Sequence, residues 1–198
     1  EIPNIATIAE EDKFEKFKRK ITEILVGLGL FETNTYHLIS KKAQTSDMDL
    51  KIDTIELENP LSEEYNTLRS WLIPSLMQVL KANKHNEYPQ KIFEIGNAFK
   101  SVEEEISRLA VLIASTNTDY TEIRQILDSL LSSLNLDYKI KETEHNSFIP
   151  GRVGRVVVKD KEVAYIGEIH PKVLRNFSLE VPVTAFELNL IELFKLIS

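Results

Sequence analysis

The sequence predicts an α+β fold in which helices pack on an antiparallel sheet. Most predicted strands follow one another through short turns, as strands do in hairpins, and long helical segments occur at only a few points in the 198 residues. The βαβαβ alternation of a doubly wound parallel fold is absent from the predicted elements. We expect residues 1–9 to be a linker and residues 10–198 to form one domain.

The first predicted element is a helix from Glu10 to Gly29. Its apolar residues recur at intervals of three and four, which is the spacing of a helical stripe: Phe14, Phe17, Ile21, Ile24 and Leu28. Acidic residues at its start suit the helix dipole, and two glycines mark its end. This stripe has two interpretations, because it can cover the chain's own sheet or contact another subunit. Leu25, Val26 and Leu30 widen it enough to serve both.

The remaining elements are mostly strands. Runs of apolar and β-branched residues predict strands over 31–39, 52–57, 92–99, 109–114, 153–158, 163–169 and 183–190. The two strands after residue 152 form a hairpin that turns at 159–161. Periodicity predicts a helix beginning near Pro74, an amphipathic helix over 122–134 and a short helix opened by His170-Pro171. The polar stretch 41–49 is predicted to be a loop.

Composition narrows the possible functions. The net charge of -7 disfavours broad binding of nucleic acid, because an acidic surface repels phosphate backbones. The absence of cysteine excludes disulfides, zinc–cysteine sites and thiol nucleophiles. No apolar run is long enough for a membrane span, and the first residues do not resemble a signal peptide. We therefore expect a cytoplasmic protein and, since the sequence does not begin with Met, a piece of a longer chain.

Three stretches carry a family resemblance. The first reads Asn59-Pro60-Leu61-Ser62, Leu68-Arg69 and Ile92-Phe93-Glu94-Ile95-Gly96; the second reads Pro150-Gly151-Arg152 and Ile166-Gly167-Glu168-Ile169-His170-Pro171; the third reads Ala185-Phe186-Glu187-Leu188-Asn189-Leu190. In this order they resemble the patterns of phenylalanyl-tRNA synthetase β subunits over roughly residues 10–194. Pro150 is preceded by Ile149 rather than by His, and in this it is similar to the archaeal and eukaryotic branch of the family.

The resemblance implies a class II aminoacyl-tRNA synthetase-like fold and the catalytic-like module near the C-terminus of the β subunit. The whole enzyme would attach phenylalanine to its tRNA with ATP and magnesium, as an αβ heterotetramer with no membrane partner. The motif residues would then be structural: Asn59, Pro60, Arg69, Phe93, Glu94, Gly96, Pro150, Gly151, Arg152, Gly167, Glu168, His170 and Pro171. The stripe of the first helix occupies the place of the class II motif that builds subunit interfaces. We therefore expect Phe14, Phe17, Ile21, Ile24 and Leu28 to contact the α subunit, and the isolated chain to self-associate.

Two departures from the class II pattern predict a module without catalytic residues. A class II site holds ATP phosphates with two arginines, in motifs that read FRxE and GxGxxR. Here Phe93 is followed by Glu94, and the late region from Phe186 to Ile191 has neither an arginine nor paired glycines. Such a module would be non-catalytic and support the α-subunit active site. The alternative is an independent class II-like paralogue with its own small-molecule or nucleotide pocket.

Several charged residues allow a second interpretation. Glu94 and Glu168 could form an acid–base pair, although strand carboxylates more often cap turns or bind arginines such as Arg69 or Arg152. Arg152 and Arg155 could touch RNA phosphate, but a turn with arginines bonded to carboxylates is favoured. His145 and His170 lack the spacing of metal ligands, so no metal site is predicted.

Overall fold

Ten strands and six α-helices follow one another in residues 9–197, the part of the chain that the computed structural model describes. The helices are α1 (Lys13–Gly27), α2 (Lys41–Gln44), α3 (Ile73–Ala82), α4 (Tyr120–Ser133), α5 (Pro171–Asn176) and α6 (Leu190–Ile197). The strands are β1 (Phe31–Glu32), β2 (Leu38–Ile39), β3 (Ile55–Glu56), β4 (Thr67–Leu68), β5 (Gln90–Phe99), β6 (Glu105–Ala114), β7 (Lys139–Glu142), β8 (Phe148–Val158), β9 (Lys161–Ile169) and β10 (Val183–Asn189).

Seven strands form one sheet in the order β1-β5-β6-β10-β9-β8-β7. All neighbouring pairs are antiparallel except β1 with β5. A second, three-stranded antiparallel sheet has the order β2-β4-β3. The predicted α+β class, with a mostly antiparallel sheet flanked by helices, is confirmed.

Both faces of the large sheet are covered. Because side chains alternate along a strand, β6 sends Leu109, Val111 and Ile113 to one apolar cluster and Ala110, Leu112 and Ala114 to another. The first cluster includes buried residues of α1, α4 and α6, and the second includes buried residues of α2, α3 and α5. We call the two sides the α1 face and the α3 face. No helix within residues 9–197 is long and apolar enough to cross a membrane.

Short polar side chains set the helix starts. Asp12 accepts hydrogen bonds at Oδ1 from the backbone N–H groups of Phe14 (2.8 Å) and Glu15 (3.3 Å), so α1 begins at Lys13 rather than at Glu10. Asp119 caps α4 in the same way through the N–H of Glu122, at 2.9 Å. Both caps satisfy N–H groups that the first turn of a helix leaves unpaired.

Several predicted elements differ from the observed ones. The strand predicted over 31–39 is divided into β1, in the large sheet, and β2, in the small one. The predicted loop 41–49 is wrong in part, because Ser40 caps the short helix α2 and a 3-10 turn follows at Ser46–Met48. β7 and α6 were not predicted. Of the predicted linker, residues 1–8 lie outside the described residues, so both domain boundaries stay predictions.

Candidate functional site

The first motif cluster is a buried ion pair between Arg69, which follows β4, and Glu94 of β5. The Nη1 of Arg69 donates to Oε1 of Glu94 at 2.7 Å, and each side chain is only 1% exposed. Nη1 also donates to the hydroxyl of Thr35 at 2.7 Å, and Nε donates to the carbonyl of Asn97 at 2.7 Å. The Thr35 hydroxyl donates in turn to Oε2 of Glu94 at 2.7 Å. This network joins the small sheet to the large one.

Gly96 leaves the space that the guanidinium fills. A Cβ at this position would lie 2.4 Å from Nη2 of Arg69 and 2.9 Å from Oε1 of Glu94. Both distances are shorter than van der Waals contact, so a side chain here would displace the pair. Arg69, Glu94 and Gly96 therefore form one structural unit, although the arginine lies 25 residues from its partner.

The second motif cluster pairs Arg152 of β8 with Glu168 of β9. The Nη1 of Arg152 donates to Oε2 of Glu168 at 2.7 Å, but the arginine side chain is 60% exposed. The hydrogen bond that Arg152 donates to Glu168 raises the pKa of Arg152. Oε1 of Glu168 accepts from the backbone N–H of Tyr120, the first residue of α4, at 3.0 Å. The pairing with arginines that the sequence favoured for Glu94 and Glu168 is present, and the two carboxylates do not form an acid–base pair with each other.

Glycines also shape the second cluster. A Cβ on Gly167 would meet the carbonyl oxygen of Arg152 at 2.6 Å and Cδ1 of Phe148 at 2.8 Å, so β8 can approach β9 only beside glycine. Gly151 has a φ of +77°, a conformation that other residues rarely adopt. The close approach of the two strands thus depends on Gly167, whereas Gly151 is needed for the local backbone conformation.

The other motif residues are structural or exposed. The Nδ1 of His170 accepts from the backbone N–H of Lys172 at 3.1 Å and caps α5, with Pro171 in its first turn. Phe93 is fully buried in the cluster on the α1 face. Asn59, Pro60 and Pro150 are exposed.

The stripe of α1 is divided between core and surface. Phe17 and Ile21 are buried in this chain, at 8% and 0% exposure, and their assignment to an interface stays a prediction. Phe14, Ile24 and Leu28 pack at the edge of the same cluster and are half-buried. The rings of both Phe14 and Phe17 contact Phe194 of α6, with centroids 5.3 and 5.4 Å apart, which explains why the helix turns this side inward.

Glu187 has a role that sequence reasoning missed. Its Oε2 accepts from the backbone N–H groups of Leu72 (2.9 Å) and Ile73 (3.0 Å) at the start of α3, and its Oε1 accepts from Nη1 of Arg108 at 3.1 Å. Burial raises the pKa of Glu187. Its two carboxylate oxygens are thus occupied by the chain itself.

Where the class II pattern has its first ATP-clamping arginine, after Phe93, this chain carries Glu94, and the region of the second, from Phe186 to Ile191, carries Glu187 but no arginine. Glu94 is bonded to Arg69 and Glu187 to Arg108, so each carboxylate holds an arginine of its own chain.

His145 is enclosed by rings rather than by metal ligands. Its ring centroid lies 5.8 Å from that of Trp71, 5.1 Å from Phe148 and 4.8 Å from Tyr165. Burial, together with the charge of Arg155, lowers the pKa of His145 to about 4. Within residues 9–197, no group of three or more His, Asp or Glu side chains is arranged to hold a metal ion.

Comparison with known proteins identifies the family that this chain resembles. The profile of a family described as the phenylalanyl tRNA synthetase beta chain CLM domain matches residues 1–190. The phenylalanine–tRNA ligase β subunit of Thermococcus onnurineus is 44% identical over 217 residues, covering 98% of this chain and 38% of the relative. That of Pyrococcus furiosus is 44% identical over 204 residues, covering 98% and 36%. That of Thermofilum pendens is 40% identical over 187 residues, covering 90% and 34%. The chain thus spans little more than a third of the length of these relatives.

Proposed function

The chain belongs to the phenylalanyl-tRNA synthetase β-chain family, of archaeal type, and from this premise we propose that it is a non-catalytic structural and assembly module of a phenylalanine–tRNA ligase. In this proposal its fold is class II synthetase-like. It supports an active site on the α subunit, where phenylalanine is attached to its tRNA. ATP and magnesium serve that active site and not this chain.

One observation carries the non-catalytic part of the proposal. Glu94 stands where the class II pattern has its first phosphate-clamping arginine, and the region of the second has no arginine. Both Glu94 and Glu187 are buried and bonded within the chain. A buried carboxylate at either place would repel a phosphate. The nearest arginines, Arg69 and Arg108, are held by these same carboxylates.

The assembly part rests on the outer side of α1. Phe14, Ile24 and Leu28 are half-buried, and Val26 is 54% exposed. β1 follows α1 at the edge of the large sheet and carries Phe31, which is 75% exposed. Apolar residues gathered in this way favour association. We propose that the α subunit covers this side and that, without it, the isolated chain forms a two-fold dimer through the same helix.

Amino-acid activation tests the non-catalytic part. The chain alone should give background ATP–pyrophosphate exchange with phenylalanine, whereas the chain assembled with the α subunit should be active. Phenylalanine-dependent exchange by the chain alone, with host enzyme excluded, would overturn the proposal in favour of an independent enzyme.

A pair of charge substitutions tests the assembly part. Val26→Glu lies on the outer side of α1, and Val102→Glu is a matched control on an 81%-exposed residue between β5 and β6. Both should leave the melting temperature nearly unchanged, because neither residue is buried. Only Val26→Glu should weaken binding to the purified α subunit and shift the isolated chain towards monomer in sedimentation. Equal behaviour of the two variants would contradict the assignment of this surface.

A further inference from the structure

A polar cavity of about 180 Å³ lies on the α3 face of the large sheet. Trp71 and Ile73, at the start of α3, form one wall. The other walls come from β6, β8, β9 and β10 and include Arg108, Arg155 and Tyr165. At about 30 Å³ per water molecule, this volume equals roughly six waters, which is the size of a small metabolite rather than of a nucleotide.

Two N–H donors of the cavity residues lack an acceptor. Nε1 of Trp71 and Nε of Arg108 are buried, and neither has a hydrogen-bond partner among the described residues. Buried donors are nearly always paired, since an unpaired one loses its bond to water without replacement. Both atoms are closed off from solvent, so an acceptor in this cavity reaches them only when the side chains of Trp71 and Arg108 shift towards it.

The two arginines of the cavity each pair with a glutamate but keep N–H groups that these pairs do not use. Nη1 of Arg108 bonds Oε1 of Glu187 at 3.1 Å, and Nε of Arg155 bonds Oε2 of Glu162 at 3.1 Å. The Arg155 guanidinium also lies 4.0 Å from the centroid of the Tyr165 ring. Each arginine thus uses one N–H on a carboxylate and keeps others that can bond an oxyanion.

We propose that this cavity binds a small carboxylate-bearing molecule, whose two oxygens accept hydrogen bonds from Nε1 of Trp71 and Nε of Arg108. A carboxylate suits the site because its two oxygens can take one N–H each. Bonds from the arginine are charge-assisted, and Tyr165 and Ile73 give the rest of the molecule an apolar surface. The Glu187 carboxylate opposes an anion, but its charge is offset by Nη1 of Arg108 and by the N–H groups of Leu72 and Ile73.

Trp71 makes the proposal directly measurable. It is the single tryptophan of the chain, so the whole tryptophan signal comes from a wall of this cavity. The chain is titrated with sodium butyrate and, separately, with L-α-aminobutyrate, which has the same carbon skeleton and an added ammonium group. Sodium chloride at equal ionic strength is the reference.

A saturable change in fluorescence with either probe supports the proposal. Tighter binding of butyrate identifies a simple carboxylate as the ligand. Tighter binding of α-aminobutyrate identifies an amino acid, because its ammonium group can donate a hydrogen bond to Glu162. A response no different from that of sodium chloride would overturn the proposal and leave ordered water as the partner of both donors.

Two conservative variants test the geometry by calorimetry. Trp71→Phe keeps the ring and removes its N–H, and Arg108→Lys keeps the charge and removes Nε. Each should weaken binding about tenfold or more, because each removes one hydrogen bond to a charged group. Arg175→Lys, on the exposed side of α5, is the matched control and should bind like the parent. If Arg108→Lys fails to fold, Trp71→Phe decides alone, and an unchanged affinity in that variant would refute the assigned contacts.

Discussion

The two arginine–carboxylate pairs of the motifs have the same length and very different surroundings. Arg69 and Glu94 meet at 2.7 Å with both side chains 1% exposed, whereas Arg152 and Glu168 meet at 2.7 Å with the arginine 60% exposed. In the first pair, the hydroxyl of Thr35 accepts from Arg69 and donates to Glu94, and this network links the two sheets. The second ties the β8–β9 hairpin to the start of α4.

This difference indicates that bond length alone does not determine how much an ion pair contributes to folding stability. In water, solvent and salt compensate for the loss of a partner, so an exposed pair contributes little. In the interior, removal of one partner leaves a charge with neither water nor counter-charge. We therefore expect the same substitution to have very different effects in the two clusters.

The largest effect is expected for Glu94→Gln. The amide has nearly the same shape, but it leaves the guanidinium of Arg69 buried without a counter-charge, at a cost of about 3–5 kcal/mol. Urea unfolding measures this loss. Glu104→Gln is the control, because Glu104 forms only an exposed pair with Lys100, and it should change stability by no more than about 0.5 kcal/mol. A similar urea midpoint for the two variants would show that the charge of Arg69 is compensated in some other way.

A half-buried ionisable group without a counter-charge gives the next largest effect. His145 has a pKa of about 4 instead of 6.5, so the folded state resists a proton that the unfolded state accepts. This stability is complete above pH 6.5 and is lost as the pH falls towards 4, by about 3 kcal/mol in all. His145→Gln should remove this pH dependence, since glutamine does not titrate.

The control for the histidine is His85→Gln. His85 is exposed, and its replacement should leave the slope of unfolding free energy between pH 4 and 6.5 as in the parent. If the parent shows no such slope, the ring cage of His145 opens to water more readily than the structure indicates.

Gly96→Ala should have an intermediate effect. Its methyl group would lie 2.4 Å from Nη2 of Arg69, so the buried pair must shift, and overpacking of this kind costs about 1–3 kcal/mol. Gly27→Ala is the matched control, because nothing lies within 4 Å of its Cβ position at the end of α1. The control should be neutral or slightly stabilising in thermal melts. Equal losses in both variants would place the cost in backbone conformation and not in the space beside Arg69.

The sequence predicts the elements that repeat a local pattern. The helix predicted over 122–134 is observed at Tyr120–Ser133, and the hairpin predicted to turn at 159–161 turns at Lys159 and Asp160, both with positive φ. These segments carry apolar periodicity and turn residues of their own. β7 lies at the sheet edge and is exposed except at the half-buried Ile140, so it carries no comparable signal and was missed.

The site could be predicted only in part, because its contacts are long-range. The motifs suggested that Glu94 and Glu168 bind arginines, but nothing near Glu187 indicates that it caps a helix 115 residues away. The spacing of the α1 stripe likewise predicts a helix without stating which side faces the sheet. Phe194 of α6 decides this by packing on Phe14 and Phe17.

The smallest effect is expected at the exposed pair. Glu168→Gln keeps an oxygen that can accept from the N–H of Tyr120, and the freed Arg152 guanidinium is hydrated, so the melting temperature should fall by no more than about 3 °C. Salt sharpens the comparison. Between about 0.05 and 0.5 M NaCl the small loss in Glu168→Gln should shrink, because counter-ions screen the parental pair, whereas the loss in Glu94→Gln should stay constant in the dry interior. Burial would not distinguish the two pairs if the stability loss in Glu94→Gln changed with salt. The same would follow if Glu168→Gln lost as much stability as Glu94→Gln.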